Sequence, residues 1–547
     1  MKPALTQRHS NSSAHFVSFS SAVRTDEIHC PACSRRAFAA SGITPFGVVS
    51  RLLRSRHWNL FSDDAALGFE AGKRDGFRLA KSRMIDHQSF YERRAASRDR
   101  ELARYYQPLL QRFFRFLVPP GLRVLELGCS SGELLAAVEP ARGVGVDFSP
   151  AIIDRARQHH PQLEFHTDDA AKFSTAEKFD CILLSDFVND LPDVQELLTR
   201  LHQFAEPRTR LVLNVFNNLW RPILALAEKI GAKAPTPEQN WLSSADMKNL
   251  LHLAGWELIK MDTRILWPVR TPLLEPLFNR WLAPLLRPLC LTVFMVARPR
   301  PSVPPDKHYR CTVVIPARNE AGNIQAAVQR TPEMGLGTEL IFIEGGSSDN
   351  TWEEIQRVKT SYPDRDIKTL KQQGKGKGSA VREAFAAATG DLLFILDADL
   401  TMPPEQLPKF YEIARSGTAD FVNGVRLVYP MEDEAMRFLN MVANKFFGMA
   451  FSWLLGQPIK DTLCGTKVLF REDYEAIGRN RAYFGDFDPF GDFDLLFGAA
   501  KLNLRIIDLP IRYAARTYGE TNIQRWRHGW LLLRMVVFAA RRMKFVR

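Results

Sequence analysis

The sequence predicts an α/β chain with two separate sheets, and three observations carry that expectation. Apolar, strand-like runs alternate with helical patterns from about residue 85 to 300. The alternation stops at "ARPRPSVPPDKHYR" (297–310), where Pro299, Pro301, Pro304 and Pro305 exclude regular structure. It then restarts with "CTVVIPARNE", "ELIFIEGG" and "DLLFILDAD". Strands that alternate with helices build parallel sheets covered on both faces. A chain of 547 residues is also too long for one core.

The first 84 residues form an N-terminal extension with little periodicity. Its first 25 residues contain no acid, which suits a transit peptide, a disordered extension or an over-called start, with Met84 as another start. "HCPAC" (29–33) has the spacing of half a zinc site, but no second pair follows it. Seven scattered cysteines form no disulfide framework, which points to a reducing cytoplasm. The net charge of +12 suits anionic ligands, nucleic acid or an anionic membrane surface, and charge alone does not choose among them.

No run of 18 uninterrupted apolar residues exists, so no spanning helix is expected. The nearest candidates are "WLAPLLRPLCLTVFMVA" (281–297) and "WLLLRMVVFAA" (530–540), each interrupted by arginine. The second is followed by Arg541, Arg542, Lys544 and Arg547. That pattern suits either a helix lying on a membrane or a packed terminal helix.

Residues 85–298 make the first domain, with "RVLELG", "GVGVDF", "LEFHTDD", "FDCILLSD" and "RLVLNVF" as strands of a doubly wound parallel sheet. "RVLELGCSSGELLAAV" (123–138) is a strand, a glycine turn and a helix. A dinucleotide fingerprint wants a glycine where this turn has Ser130, so pyrophosphate binding is disfavoured. Asp147 ends the next strand, where a carboxylate can hold both hydroxyls of a ribose. In this order the motifs resemble the class I S-adenosylmethionine-dependent methyltransferases, with a Rossmann-like sheet. The resemblance implies that Glu126, Gly128 and Gly132 line the methionine part of S-adenosylmethionine and that Asp147 holds its ribose. It further implies Asp169 at the adenine, with Ser185 and Asp186 beside the cofactor. A proton-accepting residue is left open among Asp186, Asp190 and His166.

A proline-rich linker (299–308) then leads to the second domain, 309–547, and the tether suggests domains that work independently. In "LFILDADLTMPPE" (393–405) the strand alternation sends Asp397 and Asp399 to the same side. Two hard oxygen ligands at the carboxyl end of a strand suit Mg²⁺ or Mn²⁺ against a diphosphate. "VVIPARNEAGNI", "IFIEGGSSDNT" and the basic glycine loop "GKGKGSAVREAFAAATGD" precede it. Together the four stretches resemble family 2 glycosyltransferases of the GT-A fold. That resemblance implies a nucleotide-sugar donor, with Pro316, Arg318 and Glu320 bordering base and ribose, Glu344 at the base and Lys377 in the basic loop. Asp397 and Asp399 would hold the metal.

The stretch after the metal strand, with "DTLCGTKVLFR" (461–471), is similar to the dolichol and polyprenyl-phosphate sugar transferases. By position Arg426, Arg437 and Arg516 match arginines that grip a lipid phosphate. A hydroxyl acceptor would instead need a base, and "FGDFDPFGDFDLLF" (484–497) offers Asp492 and Asp494. The expectation is a bifunctional enzyme of cell-envelope glycan synthesis, transferring a methyl group and, by inversion, a sugar. Its partners would be a nucleotide-sugar donor and a lipid-phosphate or glycan acceptor. Peripheral contact at the inner face of the cytoplasmic membrane is expected, and nucleic acid is not. The alternative is transfer to a soluble glycan or small-molecule hydroxyl beside a methyltransferase-like scaffold without turnover.

Overall fold

The computed structural model describes residues 101–546 apart from 232, 234, 235, 238, 305, 427–437, 484–492, 515, 517 and 519–524. The expectations for residues 1–84, Arg437 and Asp492 lie outside the described residues.

The first sheet is built from α1 (Glu101–Leu117), β1 (Arg123–Leu127), α2 (Glu133–Ala137), β2 (Arg142–Asp147), α3 (Pro150–His159), β3 (Glu164–Thr167) and β4 (Phe179–Leu184). It continues with α4 (Val194–Arg200), β5 (Ala205–Phe216), α5 (Arg221–Lys229), α6 (Ser244–Leu253), β6 (Trp256–Arg264) and β7 (Thr292–Pro299). Strand order is β3-β2-β1-β4-β5-β7-β6. Strands β1 to β5 are parallel, and β7 runs antiparallel between β5 and β6. The expected all-parallel sheet is thus a mixed one. The second half of the 281–297 stretch, considered above as a membrane segment, is strand β7. Its β-branched run, Thr292, Val293 and Val296, favours a strand, and it is buried on both faces.

The second sheet follows with β8 (Cys311–Ala317), α7 (Ala321–Arg330), β9 (Thr338–Glu344), α8 (Thr351–Ser361), β10 (Asp366–Lys371), α9 (Lys377–Ala387) and β11 (Leu392–Ile395). Then come α10 (Leu407–Arg415), β12 (Phe421–Val425), α11 (Phe438–Leu455), β13 (Lys467–Phe470), α12 (Arg471–Arg479), α13 (Phe493–Lys501), β14 (Ile506–Pro510) and α14 (Arg525–Met543). The order is β10-β9-β8-β11-β13-β12-β14, with β13 antiparallel to its neighbours. Central strands such as β9 are buried at every residue because helices cover both faces. Each sheet accordingly separates two apolar layers.

The two sheets do not hang on the tether alone, which corrects the picture of independent domains. Asp420, just before β12, accepts Arg210 Nη2 at 2.7 Å and Arg298 Nη1 at 2.8 Å. Arg210 also donates through Nε to the Asn503 carbonyl at 2.9 Å, and Arg298 donates to the Gly417 and Thr418 carbonyls. Burial opposes the Asp420 charge, but Arg210 and Arg298 hold its carboxyl below the usual range. A second knot joins Asp262 of β6 to Arg264 at 2.7 Å and to Lys544, beyond α14, at 2.9 Å. Phe116 packs against the apolar layers of both sheets.

Removing one partner of a buried ion cluster leaves the remaining charges uncompensated. Asp420→Ala should therefore lower stability by about 3–5 kcal/mol, read from urea unfolding. A loss below about 1 kcal/mol would mean that water solvates the two guanidinium groups in place of Asp420.

Candidate active sites

In each sheet the strand order reverses at one point, and ligands of open α/β sheets bind outside the strand ends there. The reversals fall between β1 and β4 and between β8 and β11. All the residues singled out in the described part of the chain, except Asp494, lie on or near the strand ends and loops of the carboxyl edges.

At the first reversal, Gly128 and Gly132 take φ of 73° and 77°. A Cβ at Gly128 would overlap the Phe187 ring, and one at Gly132 would stand 2.6 Å from the Phe165 ring. Glycine is required there for space as well as for conformation. Ser130, the departure from the dinucleotide pattern, adopts φ of 49° without glycine. Its backbone N–H donates to Asp147 Oδ2 at 3.0 Å, while Ser149 N–H donates to Oδ1 at 3.1 Å. Burial raises the Asp147 carboxyl, and those two N–H groups oppose the rise. Asp169 sits in the loop after β3, where its Oδ1 accepts Ala171 N–H at 2.9 Å and its Oδ2 lies 3.3 Å from Lys172 Nζ.

Glu126 is 2% exposed, and its Oε2 has no hydrogen-bond partner. Burial pushes its carboxyl well above the usual range. A buried carboxyl with an open oxygen is a fitted acceptor for a ligand ammonium, which is the group that the methionine part of a sulfonium cofactor carries. Ser185 and Asp186 follow β4. Asp186 has φ of 51° and is clasped by Asn214, whose Oδ1 accepts its N–H at 3.0 Å and whose Nδ2 donates to its Oδ1. Tyr106 from α1 donates to the same carboxylate at 3.3 Å. Burial raises the Asp186 carboxyl to about 7. His166 is drawn to Glu164 at 2.7 Å, and Asp190 accepts Gln239 Nε2 at 3.0 Å.

At the second reversal, Asp397 and Asp399 leave β11 together. Lys377, the first residue of α9, lies 2.6 Å from Asp397 Oδ1. Burial opposes the Asp397 charge, but Lys377, with Lys467 and Arg426 behind it, holds the carboxyl below its ordinary value. Arg516 spans two acids, donating to Asp399 Oδ2 at 2.6 Å and to Glu320 Oε1 at 3.1 Å. Asp399 Oδ1 also accepts the Thr401 N–H and hydroxyl at 3.1 and 2.7 Å. Glu344 accepts the Ser347 N–H, Pro316 lies in β8, and Arg318 is exposed in the loop that follows. Asn319 and Leu400 adopt φ of 58° and 51°, so backbone strain marks this site as it marks the first. Two carboxylates fit a divalent ion whose other ligands come from a bound diphosphate.

The structure gives roles to residues inside "DTLCGTKVLFR" (461–471) that the sequence reading left unassigned. Gly465 lies so close to Asp397 that any side chain would overlap the carboxylate. Lys467 is fully buried and donates to the Cys464 carbonyl at 2.5 Å. Asp461 binds Arg426 in a fork, with Nε at 2.7 Å and Nη2 at 2.9 Å. Arg426, expected to grip a lipid phosphate, is thus engaged by a carboxylate that is 2% exposed. Asp494 lies 2.7 Å from Arg481 Nε at the start of α13.

Residues 98–261 match the family model of a methyltransferase domain, and residues 312–483 match that of glycosyl transferase family 2. The dolichol-phosphate mannosyltransferase of Pyrococcus furiosus is 29% identical over 222 residues, which are 39% of this chain and 59% of that protein. Glycosyltransferase AglD of Haloferax volcanii is 28% identical over 230 residues, which are 41% of this chain and 36% of that protein. The chain thus spans less than two thirds of the length of either relative. The glucosyl-3-phosphoglycerate synthase of Mycobacterium tuberculosis, solved with Mn²⁺, uridine diphosphate and its product, is 19% identical with a TM-score of 0.32. That match covers 43% of this chain and 80% of that one. By these family matches the chain carries a methyltransferase domain followed by a glycosyl transferase family 2 domain.

The fork between Arg426 and Asp461 has a structural task whatever else it does. Arg426→Ala should lower stability by about 3–5 kcal/mol in chemical unfolding, because Asp461 is left buried and unpaired. Paired removal, Arg426→Met with Asp461→Leu, should recover most of that loss. No recovery would show that the two residues act separately.

Proposed function

We propose that the chain is a bifunctional transferase of cell-envelope glycan synthesis. One half transfers a methyl group from S-adenosylmethionine. The other transfers a sugar, with inversion and a divalent ion, from a nucleotide sugar to a polyprenyl phosphate or glycolipid at the inner face of the cytoplasmic membrane. The observation that carries the reading is the Lys377–Asp397 and Asp399–Arg516–Glu320 array at the β8/β11 reversal. The dolichol-phosphate mannosyltransferase relative supports the acceptor class.

When bound, a divalent ion supplies the Lewis acid that neutralises a leaving diphosphate. Asp397 and Asp399 would hold it, and Lys377 and Arg516 stand where they can turn from the carboxylates to phosphate oxygens. An anionic acceptor oxygen needs no base, whereas a hydroxyl does. Asp494, one of the two carboxylates considered for that task, is committed to Arg481, which favours the phosphate acceptor over the hydroxyl. In the methyl half the bound sulfonium supplies an electrophilic methyl. Glu126 would hold the ammonium, Asp147 the ribose and Asp169 the adenine, and Asp186 would accept a proton from the methyl acceptor.

Asp399→Asn should leave the unfolding midpoint nearly unchanged and abolish sugar transfer, screened across UDP- and GDP-sugars with Mg²⁺ or Mn²⁺ and polyprenyl phosphate. Near-normal turnover in that variant, or full activity in chelator, would defeat the metal assignment.

Glu126 gives a pH dependence whose sign follows from its environment. Because burial raises its pKa, the free protein keeps it protonated further into the acid-to-neutral range than an exposed glutamate. A bound ammonium favours the carboxylate, so cofactor binding should expel a proton and tighten as pH rises. Titration calorimetry in two buffers of different ionisation heat measures that proton. Glu126→Gln should abolish the release and weaken binding about tenfold or more. Unchanged affinity with no proton released would remove Glu126 from the cofactor site.

A further inference from the structure

We propose that one apolar, cation-studded face shared by both domains docks on an anionic lipid bilayer. It rests on exposed apolar and basic side chains, not on the strand-end residues that carry the acceptor reading. Four stretches build it. Ile223, Leu226 and Ile230 lie along one side of α5 and just past its end, all more than half exposed. The stretch 269–289, which includes a π-helical segment (Pro276–Leu282), exposes Leu273, Trp281 and Leu285, with Leu273 85% exposed. In the second domain α11 exposes Val442, Phe446 and Met449, and α14 exposes Trp530, Leu533 and Val537. Both triplets follow helical spacing, so each marks one side of its helix.

Contacts tie the four stretches into one surface. Trp220 Nε1 donates to the Leu289 carbonyl at 2.8 Å, and Asn217 Nδ2 donates to the Pro288 carbonyl at 2.8 Å, which fixes the start of α5 to the end of 269–289. Trp453, one turn beyond Met449 on α11, donates to the Pro284 carbonyl at 3.0 Å. The Trp281 and Phe545 rings stand 5.1 Å apart, joining the same stretch to the end of α14. Helices α11 and α14 pack against each other, and their inner faces enter the core through Phe451, Leu454, Met535 and Ala539. Twelve large apolar side chains held outward in this way far exceed the scattered exposure normal for a soluble surface.

Charge selects the occupant. Glu228 and Glu275 are the only acids in these stretches, and Glu228 already pairs with Lys233. Exposed Arg221, Lys229, Arg270, Lys445, Arg534 and Arg541 stand among the apolar groups. A second copy docked by two-fold symmetry would set these cations against cations. An anionic bilayer instead meets the cations with phosphate and the apolar groups with acyl chain. Among the described residues no helix is long and apolar enough to cross a membrane, so the contact is with the surface.

The test is cosedimentation of the full chain with phosphatidylcholine vesicles, with and without phosphatidylglycerol and without any polyprenyl phosphate. Its outcome is therefore separate from that of the acceptor reading. Binding should require phosphatidylglycerol and fall with salt. Leu226→Glu in one domain and Phe446→Glu in the other should each weaken it about tenfold or more, with unchanged unfolding midpoints. Arg534→Glu with Arg541→Glu should act in the same direction, through charge alone. Failure to bind the anionic vesicles, or binding indifferent to both apolar substitutions, would overturn the proposal. So would a wild-type dimer in light scattering that these substitutions split.

Discussion

The architecture depends on how buried charge is compensated between the sheets. Removing a carboxylate or a guanidinium from water costs several kcal/mol unless partners replace the lost solvation. Asp420 receives two guanidinium groups from the first sheet, and Arg298 in turn reaches Glu257, which also meets Arg505. These bonds demand defined geometry, so they fix orientation where an apolar contact would tolerate sliding. A proline-rich tether alone would leave the domains free to rotate.

That contact runs along β6 from its amino to its carboxyl end: Glu257 meets Arg505, Lys260 Nζ donates to the Ala500 carbonyl, and Arg264 donates to the Met543 carbonyl. Arg210 lies midway along β5, and Asp420 and Arg505 immediately precede β12 and β14. The lipid-facing surface proposed above takes α5, which follows β5 in the chain, and α11, which follows β12 after 427–437.

The same residue types behave in opposite ways at the two sites. Glu126 and Asp186 lie in surroundings that favour the neutral acid, and burial raises both. Asp397 keeps its charge because Lys377 stands beside it, with Lys467 and Arg426 farther back. On the proposed function, carboxyls that ionise on demand serve a cationic cofactor, while a metal and diphosphate call for anions and cations already in place. In both crevices strained backbone, at Ser130 and Asp186 and at Asn319 and Leu400, aims these groups.

This contrast also explains what was legible in the sequence. Strand-end motifs were readable because glycine turns and paired acids are local, as at Gly128 to Gly132 and Asp397 to Asp399. Partnerships that close over distance were not. Arg426 reads as a phosphate ligand until Asp461, 35 positions on, is seen to grip it. Arg210, Arg298 and Asp420 are single charges without pattern, yet they orient the domains. Strand β7 hid inside a long apolar stretch because the short helical segments that precede it are as apolar as the strand. Lys260 makes the point most sharply: on sequence it is an ordinary lysine of a strand. In the fold its Nζ donates to the Ala500 carbonyl, and burial, with Lys501 and Lys544 nearby, lowers its pKa to about 7. A cation so placed sheds its proton near neutrality, so the contact between the sheets gains stability as pH rises above that point, up to the ordinary lysine range. No local pattern encodes that behaviour, because it arises only when a strand of one domain is laid against a helix of the other.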